Sequence, residues 1–375
     1  MQRKVILIVF LCLFQIACGS EIDNEELEEN AFANEETQNF ELSEVEHLQE
    51  NDASTECCER PYFKLSAELI YLKPSLDQAS YVISSSNNIV NGEFFPHGKR
   101  HNNTSSYKPG FRIEAQYEPC QSANALDFRF TYLNSSNSDS TSGRFLFDTI
   151  GFPGDGAQAP EDINYAGKAH IRDNYRYHSL DATFNRLALD SCLDNLFLLM
   201  GLHYAHVGHT THFKSRGVFP DHSVTKPVNN RLKSHSDFWG IGPQFGLEYT
   251  YNLTSPSCCF GRLALNTNLR ASILCSQSNA SFHYKTLRTA GSKGIKLRND
   301  DLWRVNPAFD AKIGANYTLL LCNFEATVEL GYEWLWYHHS VDSITGIDVA
   351  FAGDSIDLYS NLSLHGPFLR VNIAF

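Results

Sequence analysis

Residues 324–336 read Phe324-Glu325-Ala326-Thr327-Val328-Glu329-Leu330-Gly331-Tyr332-Glu333-Trp334-Leu335-Trp336. Phe324, Ala326, Val328, Leu330, Tyr332, Trp334 and Trp336 fall on one side of a two-residue period, with Glu325, Thr327, Glu329 and Glu333 on the other. That period belongs to a β-strand whose two faces meet different surroundings. The pattern recurs along the chain. Phe63, Leu65, Ala67, Leu69 and Tyr71 oppose Lys64, Ser66 and Glu68; Phe111, Ile113, Ala115 and Tyr117 oppose Arg112, Glu114 and Gln116; Leu126, Phe128, Phe130 and Tyr132 oppose Asp127, Arg129 and Thr131. Further segments are centred on residues 176–188 (the weakest) and on Leu196–Val207, Pro243–Tyr251, Leu263–Ile273 and Val305–Tyr317, and the chain ends on Leu369, Val371, Ile373 and Phe375.

Alternation alone also fits a soluble sandwich with one wet face. Two asymmetries point instead to a membrane barrel. Short connections near 118–125, 188–195, 252–259 and 318–323 alternate with long polar segments near 74–107, 134–174, 208–236, 275–302 and 338–357. Outer-membrane barrels join strands by short periplasmic turns and long outer connections. Trp239, Trp303, Trp334 and Trp336 lie toward the long segments, and Tyr117, Tyr249, Tyr251 and Tyr317 toward the short turns. Trp and Tyr favour the headgroup level, having an apolar body and a polar tip. The reading is an all-β chain, a transmembrane antiparallel β-barrel of ten strands, or twelve if the 134–174 segment holds another hairpin. A strand closing on a terminal Phe375 resembles the signal that outer-membrane assembly machinery recognises.

Residues 1–19 read as a signal peptide, with basic Arg3 and Lys4 before an apolar run from Val5 to Ile16 that is too short to span a bilayer. Gln15-Ile16-Ala17-Cys18 partly matches a lipidation box, which leaves lipidation of Cys18 open. Residues 20–60 read as an acidic periplasmic linker: residues 20–59 hold 15 Asp/Glu and no Lys or Arg. Removing the linker and signal from the net charge of −13 leaves as many bases as acids in the rest. That balance gives nucleic-acid binding no support. Residues 61–375 form the barrel, and no run of 18 apolar residues follows the signal.

Inside the barrel the polar face carries mixed charge. The candidate pore-lining residues are Arg112, Glu114, Gln116, Asp127, Arg129, Glu248, Arg262, Arg270, Arg304, Asp310, Lys312, Glu325, Glu329 and Arg370. A conducting pore and an interior packed by ion pairs both predict this mixture. About eight strands leave an interior filled by side chains and sixteen or more leave an aqueous channel. Ten or twelve strands therefore allow at most a narrow pore.

Cys120, Cys192, Cys258, Cys259 and Cys322 fall in the four short turns, and Cys57 and Cys58 just before the first strand, all at the periplasmic end. The periplasm permits disulfides. Pairing within one barrel and cross-linking to neighbouring envelope proteins both remain open. His203, His206, His209 and His212 recur every three residues, a spacing that alternates faces on a strand and so does not gather a metal site. Asp173, His178, Asp181 and His203 are the residues from which a barrel hydrolase would be assembled, but no catalytic motif selects them. No cofactor or metal is implied.

The run Phe63-Lys64-Leu65-Ser66-Ala67-Glu68-Leu69-Ile70-Tyr71-Leu72-Lys73-Pro74 resembles the opening strand of the Legionella and Chlamydiae major-outer-membrane-protein-like family. Gly110-Phe111-Arg112, Phe238-Trp239-Gly240-Ile241-Gly242-Pro243 and the ending from Gly366 to Phe375 are similar to it as well. Leu72 stands where that family commonly has an aromatic, and the acidic extension is not one of its features. The resemblance implies a pore-forming, multi-pass protein of the bacterial outer membrane, and in the chlamydial branch a cysteine-cross-linked envelope. The expected partners are outer-membrane lipids, small polar solutes, and disulfide-linked envelope proteins or a homo-oligomer. The leading expectation is passive diffusion of small solutes. Its rival is a structural or adhesive surface barrel with a plugged lumen.

Overall fold

The computed structural model describes residues 62–76, 80–85, 99–119, 124–148, 164–191, 193–221, 224–254, 261–288, 291–321, 324–346 and 355–375. The signal and linker expected for 1–60 lie outside the described residues, as do Cys57, Cys58, Cys120, Cys192, Cys258, Cys259 and Cys322.

The described strands are β1 (Tyr62–Leu76), β2 (Ser80–Ser85), β3 (Lys99–Asn102), β4 (Lys108–Glu118), β5 (Asn124–Asp148), β6 (Asn164–Asp190), β7 (Asp194–Asp221), β8 (Val224–Asn252), β9 (Arg262–Arg288), β10 (Gly291–Leu321), β11 (Phe324–Gly346) and β12 (Ser355–Ala374). Ten of them close a ring of antiparallel neighbours: β1 pairs with β4, β4 with β5, each later strand with the next up to β12, and β12 with β1. The closing pair sets Lys64 opposite Ala374 and Ser66 opposite Asn372. Phe63 and Phe375 exchange two backbone hydrogen bonds of 3.0 Å, so the terminal aromatic belongs to the seam. Closure leaves no strand edge facing lipid, the condition a spanning sheet must meet.

The other two strands form the β2–β3 hairpin, which adds to the outer part of β5 through Val82–Ser85 opposite Phe145–Asp148. The extra hairpin therefore lies within 80–102. In 134–174, β5 and β6 simply run on and pair with each other as far as Leu146 and Asn164. Long polar connections are likewise replaced by strand elsewhere: β5 to β10 are 25 to 31 residues long, whereas about 9–11 residues span the hydrocarbon. At about 3.3 Å per residue and a tilt near 40°, a strand of that length rises roughly 70 Å. Most of the wall therefore stands clear of the bilayer. The four short periplasmic turns fall where the sequence places them.

The lipid-facing band follows from the alternation. Leu69, Ile113, Phe128, Met200, Phe245, Ile273, Ile313 and Leu330 are exposed large apolar residues, each flanked by inward residues that are covered. Trp239 and Trp303 meet edge to face at 5.8 Å at the outer border of this band. Glycine on β8 serves close approach: a Cβ on Gly242 would lie 1.8 Å from the Ile273 carbonyl oxygen of β9.

Candidate functional site in the lumen

All fourteen residues expected to line the lumen are on the inward face of their strands. The structure sorts them into three levels. Lowest is a vestibule of about 450 Å³, lined among others by Lys64, Glu114, Gln116, Asp127, Glu248, Arg262, Glu325, Glu329 and Arg370. It is polar and mixed in charge, and Arg370 is ion-paired to Glu114. Asn268 donates to Glu248 at 2.9 Å on the same wall.

Above it a charged layer crosses the barrel. The Arg112 guanidinium on β4 is 2 % exposed. It donates to Glu333 of β11 at 2.8 Å, to Glu68 of β1, and through Nε to the Thr131 hydroxyl at 2.9 Å. Lys312 of β10 reaches both Glu68 oxygens at 3.1 Å. Arg129 of β5 bridges Asp181 of β6 at 2.8 Å and Asp310 of β10 at 2.9 Å. Arg270 lies 3.6 Å from Asp127. Strands β4 and β11, and β5 and β10, are not sheet neighbours, so these bonds span the lumen. Charges taken out of water must be paired to persist, and here nearly every one is.

Asp181 also holds His203 of β7 through Nδ1, and Nε2 of that imidazole is 3.1 Å from the Tyr337 hydroxyl. Tyr337 is in turn 2.7 Å from the Tyr177 hydroxyl across the barrel. The histidine–aspartate part of the hydrolase constellation is thus real. It is buried, however, and its far side meets a tyrosine, not a nucleophile with its base. His178 points outward and Asp173 sits higher, bonded to Asn103 and Thr211. The four spaced histidines divide as the strand period requires, His203 and His209 inward, His206 and His212 outward.

The third level is apolar. Ile70, Leu72, Leu133, Tyr177, Val207, Phe238, Leu274, Leu335, Leu362, Leu364 and Phe368 form one buried cluster drawn from walls all round the ring. A bulge in β11 completes it. Tyr337 pairs with Leu362 and Val341 with Ser360, so β11 advances four residues for two on β12. His339 takes a positive φ of 46° there, and Asn306 donates to the His338 and His339 carbonyls at 2.7 and 3.0 Å. The bulge turns the strand inward. The Asp342 amide then reaches Ser236 of β8 at 3.0 Å, and its carboxylate accepts from Ser278 of β9 and pairs with Arg304 at 2.8 Å. Side chains from opposite walls therefore touch at both upper levels.

Glu68, Asp181, His203, Glu333 and Tyr337 complete the charged layer beside the residues expected from the sequence to line the lumen. Glu68 stands in the inward phase of β1 and was findable there. Asp181 and His203 belong to the two segments of weakest alternation. Nothing in the sequence marks the β11 bulge. Cys275, exposed and free, is outward on β9 at the border of the apolar band, opposite Ile241 and Val305.

Residues 55–375 match the family described as Legionella pneumophila major outer membrane protein precursor, and the chain belongs to that family. It is accordingly a multi-pass protein of the outer membrane. No curated protein matches it. Among solved structures it is similar to the outer membrane protease OmpT of Escherichia coli, with 10% identity over 84% of this chain and 96% of that one, TM-score 0.40. It is also similar to a FadL homologue of Pseudomonas aeruginosa (8% identity, 84% and 90% covered, TM-score 0.27) and to the toluene transporter TodX of P. putida (6%, 84% and 90%, TM-score 0.22). Likeness at this level carries no argument about activity.

Proposed function

We propose that this member of the major outer membrane protein family is a closed-lumen surface barrel, with a structural role in the envelope and its working surface on the wall that rises above the membrane. The observation that carries this reading is the apolar cluster lying across the lumen above a layer of paired charges. A polar solute passing through would have to displace both. Opening the lower layer would leave buried charges unpaired, which costs several kcal/mol each, and water gains nothing from the layer above.

Passive diffusion of small solutes is the second reading, favoured by the mixed-charge vestibule at the periplasmic end of the lumen. Single-channel recording in planar bilayers separates the two. The closed reading expects no conductance steps from folded wild-type protein, and steps from a variant whose plug is thinned by Phe238→Ala, Leu274→Ala and Phe368→Ala. Reproducible wild-type steps of the same size as the variant's would overturn it. Running the recordings with and without reductant, alongside non-reducing gels, tests separately whether the periplasmic cysteines cross-link the protein to neighbours.

A further inference from the structure

Above the apolar band, the outward face of β6 to β10 carries two rows of basic side chains in register. Arg172 lies opposite His212, His212 opposite Lys233, Lys233 opposite His283, and His283 opposite Lys296. One step further out, His170 lies opposite Lys214, Lys214 opposite Arg231, and Arg231 opposite Lys285. Five adjacent strands make the first row roughly 19 Å wide. The face is also dished. Thr210, Lys233, His235, Ser281, His283 and Lys296 line a depression of about 440 Å³.

Like charges directly opposite one another on a sheet are destabilising. On β6 to β9 the one carboxylate among the described side chains of this face is Asp237, and it is taken by His206 at 3.0 Å. Among the described residues none of Lys214, Arg231, Lys233, Lys285 and Lys296 is ion-paired. The His212 imidazole is held below its ordinary value, first by partial burial and then by the charges of Lys233, Arg172 and Lys214. The rows end at the neighbouring strand: the outward residues of β5 paired with β6 at this height are Asn134, Ser136, Ser138 and Ser140. Among the described residues no carboxylate pairs with the lysines and arginines of the two rows.

We infer that this face is a binding site for the phosphorylated sugar headgroups of outer-leaflet glycolipid. Its height identifies the ligand. Lys233 stands six residues beyond Trp239 on β8, which is roughly 15 Å above the aromatic border. The face looks sideways along the membrane plane, toward neighbouring lipids. Clustered Lys and Arg at such a level recognise anionic headgroups, and the dished rows present several donors to phosphates spaced along a saccharide. The inference holds whether or not the lumen conducts.

The test uses full-length protein folded in detergent, with its compact form checked by migration on unheated gels. Binding is measured to rough-type lipopolysaccharide, to the same lipid after dephosphorylation, and to soluble heparin. The triple variant Lys233→Gln/His283→Gln/Lys296→Gln is expected to bind the phosphorylated lipid at least tenfold more weakly than wild type. Lys233→Arg/Lys296→Arg is expected to retain binding, which guards against a mere folding defect. Dephosphorylation is expected to abolish the difference between wild type and the triple variant. Equal binding by wild type and triple variant, equal binding of dephosphorylated lipid, or tighter binding of heparin than of the lipid would each overturn the assignment.

Discussion

Along β9, Leu263, Leu265, Leu269 and Ile273 point out of the barrel while Asn266, Asn268 and Arg270 point in. Further along the same strand, Ser281, His283 and Lys285 point out while Ala280, Phe282 and Tyr284 point in. The strand does not change its period or its register with β8. What changes is the solvent on the convex side. Below Cys275 that side meets hydrocarbon, so apolar residues go out and the polar face turns to the lumen. Above it the wall stands in water, and the ordinary soluble rule returns, with an apolar core inside. β6, β7 and β8 reverse at corresponding heights: Leu180 and Phe184 give way to Arg172 and Arg176, Met200 and Leu202 to His212 and Lys214, Phe245 and Ile241 to Lys233 and Arg231. One tube is thus built as two barrels with opposite rules, and the plug sits where they meet.

The comparison is broken most sharply in the outer core. Beyond the plug, Phe282 is 2 % exposed in a second buried apolar cluster with Phe213, Leu232 and Tyr81. Phe282→Ala is expected to cost about 3–5 kcal/mol, read by denaturant unfolding in detergent. A result under about 1 kcal/mol would mean that the upper half has no packed core.

The second effect contrasts the two outer surfaces. Leu330 is 63 % exposed in the middle of the lipid-facing band. Leu330→Arg is expected to cost about 2–4 kcal/mol in a bilayer, as charge does at the midplane of a barrel. Ser138→Arg, outward on β5 above the band and opposite Arg172, is expected to cost at most about 1 kcal/mol, the like-charge pair included. Equal penalties would place both positions in the same medium.

The smallest effect concerns Asp173, which lies outside the membrane-spanning part of β6. Burial by itself would raise its carboxyl, but the hydrogen bond and charge of His209, with donors from Thr211 and Asn103, hold it below the ordinary aspartate value. A depressed carboxyl contributes stability that is full above the unfolded value and is lost as pH falls through the folded one. Asp173→Asn is therefore expected to lower stability by about 1–2 kcal/mol at pH 7. The gap should close below roughly pH 4. A gap independent of pH would assign the loss to packing.

Much of the membrane half could be read from the amino-acid order. Ten strands, four short turns, the outward apolar sets and the inward charges all follow from a two-residue period with one consistently apolar face. The outer half was hidden by the reversal itself. Once the apolar residues move to the other face and the outward positions become His, Lys, Arg and Ser, a search for the original phase loses the strand and finds a polar connection. Segments 208–236 and 275–302 read as polar connections for this reason, although Phe213, Leu232, Phe282 and Tyr284 keep the period inside them. The two-residue period places the lumen charges on the face away from the apolar set, but it carries no information about their level in the barrel. Whether Arg112 faces a channel or a partner depends on Glu333, 221 residues away, and on a bulge in β11 that no local pattern announces.

The reversal is tested most directly by placing single nitroxide labels at outward positions along β9, from Leu265 through Ile273, Gln277, Asn279 and Ser281 to Lys285, in protein reconstituted into bilayers with Cys275 and every other native cysteine replaced by Ser. Accessibility to oxygen, which partitions into lipid, and to a water-soluble nickel chelate is then compared at each site. The two-barrel account predicts oxygen dominance as far as Ile273, a crossover between Cys275 and Asn279, and chelate dominance from Ser281 onward. Oxygen dominance persisting to Lys285, or high chelate access at Ile273, would contradict it.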